Sequence, residues 1–140
     1  MAGINVGRWI AGGVAAGTFV WLFEGVASLL YMDEYMKSME AHGLSMDMGP
    51  AMWILSIVVS LIVGLAAVFF YAAMRPRFGP GPKTAVIVGV ALWLSGYLMS
   101  LIGYQMMGLF PQGLLVMWGV IGLIEVVLAS ILGAWIYRED

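Results

Sequence analysis

Two acidic residues lie where acids are costly. Glu24 falls about two turns inside one end of an apolar run, and Glu125 falls near the middle of another. A charged carboxyl at the centre of a bilayer costs ~3 kcal/mol on insertion scales, so such a group is protonated, paired or wetted. No Lys, Arg or His lies within the apolar runs to act as a counter-ion. At a rise of ~1.5 Å per residue the two acids differ in depth by about two turns. Ser28, Ser95, Tyr97, Ser100 and Tyr104 are the polar side chains near enough to bond them. Proton transfer or cation binding is the chemistry such a pair could perform. The plainer reading is that neutral carboxyls bond a hydroxyl or carbonyl and glue helices together, at ~0.6 kcal/mol per contact.

A second set of residues suits a soft metal. Met32, Met36, Met39 and His42 follow at helical spacing, with Met46, Met48 and Met52 soon after. Thioethers and an imidazole are suitable ligands for Cu(I). The same spacing, with Asp33, Glu34, Lys37 and Glu40 at the alternate positions, also describes an amphipathic helix lying on a membrane surface. Methionine fills irregular apolar gaps well, and Gly43 after His42 reads as a helix end.

Other chemistries leave no trace. The chain has no Cys, which excludes disulfides, thiolate catalysis and Cys-bound metals, and it has one His. There is no Ser-His-Asp set, no HExxH and no phosphate loop; Lys83-Thr84 follows the glycines at 79 and 81, but Pro82 stands where a P-loop needs the Gly directly before its Lys. The expectation is a non-catalytic protein. A net charge of -2 gives no reason to expect a nucleic-acid partner. No cofactor is required by any motif, although a lipid, quinone or pigment pocket needs none.

The elements that position these residues are apolar and long. Of 140 residues, 63% are hydrophobic and 10% charged, with a mean hydropathy of +1.00; soluble domains carry about 25% charged residues. Membrane-crossing helices of ~20 apolar residues are expected at about 9–31, 51–74, 84–107 and 113–137. The fold expected is all-α, an integral membrane four-helix bundle in one domain. Between the first two helices lies a loop over 32–50. Between the second and third lies Arg75-Pro76-Arg77-Phe78-Gly79-Pro80-Gly81-Pro82-Lys83. Its three prolines are expected to stop helices entering from either side, making 75–83 a loop.

Charge gives the orientation. Arg8, Arg75, Arg77, Lys83 and Arg138 fall on one side, and Lys37 alone on the other. The positive-inside rule then places both termini and the 75–83 loop in the cytoplasm, and the 32–50 loop outside.

An internal repeat is visible at an offset of 72. Gly17-x3-Trp21-Leu22-x5-Ser28-Leu29-Leu30 matches Gly89-x3-Trp93-Leu94-x5-Ser100-Leu101-Ile102 at that offset, and near the starts of the second and fourth helices Met52-Trp53 and Met117-Trp118 recur at an offset of 65. Two parallel-related helical hairpins would produce this pattern, although limited apolar alphabets also produce chance matches. Glu24 departs from the repeat, since its counterpart is Gly96. Close helix contact in lipid depends on small residues. Gly13 and Gly17, Ser56, Ser60 and Gly64, Gly96 and Ser100, and Ala129 and Gly133 mark such faces. They suit packing within the bundle or docking of a partner subunit.

The stretch from Tyr71 through Arg75-Pro76-Arg77-Phe78-Gly79-Pro80-Gly81-Pro82-Lys83 to Ala85 resembles one in a family of small, uncharacterised four-helix bacterial membrane proteins. The ending Gly133-Ala134-Trp135-Ile136-Tyr137-Arg138-Glu139 is similar to theirs too. The resemblance implies a bacterial inner-membrane location and no mechanism. Partners are then membrane lipids and other membrane subunits or a second copy. The residues fit first a scaffold or accessory subunit. They fit second a small proton-coupled transporter or ion-handling protein using Glu24 and Glu125. An outer-face Cu(I) binder comes third.

Overall fold

The computed structural model describes residues 3–45 and 49–137, and all their regular structure is helical. Four stretches are long and apolar enough to cross a membrane: Val6–Leu30, Pro50–Phe78, Pro82–Met107 and Gln112–Ile136.

Helix α1 (Val6–Ala27) begins where the Asn5 side chain accepts a hydrogen bond from the Arg8 N–H at 3.1 Å, satisfying one of the free donors of a helix start. It tightens into a 3₁₀ turn over Ser28–Leu30, and α2 (Met32–Ala41) follows at once. The 32–50 loop expected from sequence therefore contains a ten-residue helix. Its spacing of apolar and charged positions is the amphipathic pattern already noted. Gly43, at φ +68, ends it in the left-handed conformation that glycine adopts without cost.

Helix α3 (Pro50–Phe78) starts on Pro50 and runs four residues past the expected end at Met74, with Pro76 inside its last turn. The expectation that Pro76 would stop the helix is wrong, for a local reason. In a last turn proline forfeits one hydrogen bond, and Gly79 N–H closes the end by donating to Arg75 O at 2.8 Å. The break comes at Gly79 and Gly81, at φ +84 and +120. Pro82 then opens α4 (Pro82–Leu92) as a first-turn residue, a position where its missing donor costs nothing. The turn is pinned by Thr84 Oγ1 donating to Gly79 O at 2.7 Å and Gly81 N–H donating to the Tyr71 hydroxyl at 2.9 Å.

The third span is not one regular helix. Between α4 and α5 (Leu98–Met107) lies a π turn over Trp93–Tyr97. Such turns are rare and recur at functional sites. Helix α6 (Gln112–Ile136) completes the chain.

Helix α1 packs against α3 and α6, and α4 packs against α6 and α3. Small residues set the close approaches. A Cβ on Gly17 would lie 2.6 Å from Leu61 Cα, and one on Gly64 would strike the Gly13 and Gly17 backbone. Gly89 stands in the same relation to α6, 2.7 Å from Val127 Cα. The indoles at the matching repeat positions do likewise: Trp21 Nε1–H donates to Ser56 Oγ at 3.1 Å and Trp93 Nε1–H to Gly119 O at 2.9 Å. In each half of the chain, then, a Gly and a Trp on one span engage the next.

The core is unevenly distributed. Its larger cluster, including Ala16, Val68, Tyr71, Ala85, Val88 and Ala129, sits toward the α3–α4 turn. At the opposite end, which carries α2, the cluster shrinks to Ala27, Tyr31 and Leu114 with half-buried aromatics around them. Residues 51–59 of α3 are exposed throughout at that end, as are most of 94–107.

Candidate functional site

The site forms at the α2 end, where the helices are least tightly packed. Glu24 sits one turn from the end of α1, seven residues before Tyr31. The 3₁₀ turn swings Tyr31, 8% exposed, back toward Glu24, and its hydroxyl donates to Glu24 Oε1. A carboxylate has about four lone-pair sites, so this bond leaves Glu24 able to accept others.

Glu125 on α6 is 3% exposed, and its Oε1 has no hydrogen-bond partner among the described residues. One turn before it, Gly122 leaves room for the Tyr97 ring, which a Cβ at 122 would strike. Tyr97 closes the π turn, so the extra residue in that turn sets the ring's place on α6. Glu24 and Glu125 lie within electrostatic reach of one another and of Tyr97.

A cavity of about 430 Å³ adjoins Glu24. Tyr31, Tyr35, Tyr97, Tyr104, Phe110 and Trp118 give it aromatic walls, and Met32, Met39, Leu44 and Leu109 close the remainder. The rings brace one another. Tyr35 stacks on Phe110 at 5.6 Å and 21°, while Phe110 meets Trp118 edge-on at 5.0 Å and 71°. Tyr31 and Tyr104 also pack edge-on against Trp118. These are the offset and edge geometries that ring quadrupoles favour. Trp118 Nε1 is buried with no acceptor among the described residues. Burial, and after it the neighbouring Tyr104, raises the Tyr35 phenol above its usual range, so it stays a neutral hydroxyl. A smaller cavity of about 250 Å³, lined by Tyr97, Ser100, Leu101, Tyr104 and Trp118, shares three of these walls. The chain matches no protein-family model, no curated protein and no solved structure.

The residues expected to serve the acids divide. Tyr97 and Tyr104 stand in the cavity with Glu24. The serines do not bond the acids: Ser28 donates to Gly25 O, Ser95 to Ala91 O and Ser100 to Gly96 O, each on its own helix. A serine hydroxyl reaches the carbonyl three or four residues back without help from a neighbour. Tyr31, Tyr35, Phe110 and Trp118 were not anticipated. Tyr31 and Trp118 lie near the ends of expected spans, where amphipathic rings ordinarily favour the membrane interface. Yet Tyr31 is seven residues after Glu24 and Trp118 seven before Glu125, the two-turn spacing that shares a helix face.

The methionine set also divides. Met32 and Met39 line the cavity, whereas Met36 is exposed. His42 is exposed, with Nδ1 2.7 Å from Ser38 O, which leaves Nε2 for any ligand. Met46 and Met48 lie outside the described residues.

Among the small-residue faces, Gly13, Gly17, Ser60, Gly64, Ala129 and Gly133 are buried between helices. Gly96 and Ser56 are not: both are exposed, and a Cβ on Gly96 would meet nothing within 4 Å. The packing expectation fails there because Gly96 lies in the π turn with open space at its Cβ position, and Ser56 meets α1 through the Trp21 indole rather than backbone to backbone. Arg75 borders a cavity of about 370 Å³ with Tyr71 and Tyr137 at the α3–α4 turn, while Arg77 and Lys83 are exposed at that end.

Proposed function

We propose that the chain is a multi-pass protein of the bacterial inner membrane, a bundle of two related helical hairpins, that handles a cation in exchange with protons through Glu24 and Glu125. One observation carries the reading. A carboxylate held by a tyrosine borders a cavity at the α2 end, and a second, buried carboxyl with an unpartnered oxygen lies within its electrostatic reach. An intramembrane acid with no basic partner is expensive to keep. Loading and release of a proton or cation gives a reason to keep two. Tyr97, placed by the π turn, lies within electrostatic reach of both acids, and the Tyr31 hydroxyl bonds one of them. The clustering of Arg8, Arg75, Arg77 and Lys83 opposite α2 supports cytoplasmic termini and an outward-facing cavity.

Proteoliposomes holding a pH-sensitive dye test this reading. An imposed gradient of sodium, potassium or an organic ammonium ion should drive protons the opposite way in wild-type vesicles. Glu24→Gln and Glu125→Gln should abolish that movement. Equal proton movement in all three preparations, or none with any cation, sinks the proposal.

A second reading, that of a scaffold or accessory subunit, is favoured by the uncovered small-residue positions Ser56, Gly96 and Ser100 and by the bare first half of α3. Four helices enclose little volume, so a pathway also gains from a second copy covering these faces. Native mass spectrometry of protein drawn gently from its membrane separates the cases. Other named subunits in the assembly favour the accessory role; a homodimer or monomer counts against it.

A further inference from the structure

We propose that the cavity beside Glu24 is a binding site for an organic ammonium ion, a protonated or quaternary amine carrying apolar substituents. This deepens the proposed function by naming its substrate class, and it rests on that reading only for transport, not for binding. Several observations converge on the class. The cavity's described lining includes six aromatic rings and one carboxylate and no Lys, Arg or His. Ring faces are electron-rich and attract cations, most strongly at Trp. Trp118 stands at the centre of the ring cluster, in contact with Tyr31, Tyr35, Tyr104 and Phe110. Glu24 adds a carboxyl group whose acceptor capacity its single Tyr31 bond does not exhaust, the natural counter-group for a bound ammonium.

The same lining argues against a bare metal cation. A hard cation demands about six or more oxygen ligands, and this wall offers one carboxylate, a few phenols and otherwise carbon and sulfur. An ammonium ion dressed in carbon asks for the reverse: ring faces around the substituents and one counter-charge. The thioethers of Met32 and Met39 suit it as polarizable, adaptable packing. A volume of about 430 Å³ falls within the range of roughly 300–1,000 Å³ typical of small-molecule sites. Helix α2, through Tyr35 on Phe110, forms the side of the cavity that lies outside the membrane-spanning helices.

The test uses the full chain in nanodiscs, with benzyltrimethylammonium as probe and neutral benzyl alcohol as comparator, read by tryptophan fluorescence and calorimetry. Wild-type protein should bind the cation saturably and at least about tenfold more tightly than the alcohol. Glu24→Gln and Trp118→Leu should each weaken the cation about tenfold or more and leave the alcohol's binding little changed. Tyr35→Leu, on α2 and outside the spans, should weaken it several-fold and guards against a folding defect in the Trp118 variant. Equal binding of cation and alcohol, no saturable binding, or cation binding indifferent to all three variants would overturn the assignment. The failures are distinguishable. Proton movement driven by sodium or potassium, without ammonium binding, leaves the transport reading and removes this substrate class. Ammonium binding without proton movement leaves the site and removes transport.

Discussion

Glu125 offers a direct test of whether the acids are kept for work or for packing. Its carboxyl is 3% exposed with Oε1 unpartnered, on a helix whose neighbouring positions Val126, Ala129 and Ser130 are all buried. Leaving a buried polar group unsatisfied costs about 1–3 kcal/mol. Leucine fills a comparable volume, favours helix and carries no polar atom. Glu125→Leu should therefore stabilise the fold by about 1–3 kcal/mol. Glu125→Gln keeps the shape and the polar burden, so it should shift stability by less than about 1 kcal/mol. Both variants should lose any proton-linked activity. The assay is reversible unfolding in mixed micelles, titrated with a denaturing detergent and followed by tryptophan fluorescence and helical circular dichroism. If Glu125→Leu lowers stability by more than about 1 kcal/mol, the carboxyl is a satisfied structural bond. The argument from an orphaned acid to function then fails.

Other perturbations follow from the packing. Gly64→Leu should cost more than about 3 kcal/mol, or prevent assembly, because its Cβ would meet the α1 backbone rather than a movable side chain; unfolding in the same micelles measures it. Gly96→Ala should shift stability by less than about 0.5 kcal/mol in the isolated chain, since its Cβ meets open space. A larger loss confined to conditions where the chain associates would mark that face as an interface. The natural absence of cysteine makes topology easy to read. Lys37→Cys should react with a membrane-impermeant maleimide on intact spheroplasts, and Lys83→Cys only after permeabilisation.

Hydropathy alone located the four spans, because 18-residue apolar windows with almost no charge have few other physical solutions. Glu24 and Glu125 stood out for the same reason, as charges where the pattern forbids them. What stayed hidden was local geometry. Pro76 looked like a stop signal, yet in a last turn it removes a single bond, and the stop lies at Gly79 and Gly81. The π turn at Trp93–Tyr97 carries no proline or charge to announce it, so the third span looked regular and Tyr97 could not be placed against Gly122. The small residues at Ser56 and Gly96 obeyed the same spacing rule as Gly13 and Gly64. Only three-dimensional packing shows which of these faces meets a neighbour. The aromatic cage draws on the junction of α1 with α2, on α2, the π turn, α5, the α5–α6 connection and α6, and no single stretch of sequence displays more than two of its rings close together.

The chain divides its tasks along its length. Toward the α3–α4 turn, tyrosines fix the connections through Tyr71 to Gly81 and Asn5 to Tyr137 and the larger core cluster lies between them, while nearer mid-span glycines seat helices backbone to backbone. At the α2 end the buried core shrinks, a cavity of about 430 Å³ opens beside Glu24, and bulky rings replace small-residue contacts. A site that must admit and release a ligand cannot also be the tightest part of the fold, since rigid packing leaves no volume to fill. Close contacts at mid-span and a core toward the α3–α4 turn let the α2 half keep a carboxyl oxygen and an indole N–H that have no partner among the described residues, and a π turn, without losing the fold. The arrangement implies that substitutions in the cage change ligand binding more than stability, and that those at Gly17, Gly64 and Gly89 do the opposite. A double variant such as Gly17→Ala with Tyr35→Leu should then show additive losses, because the two positions share no neighbours.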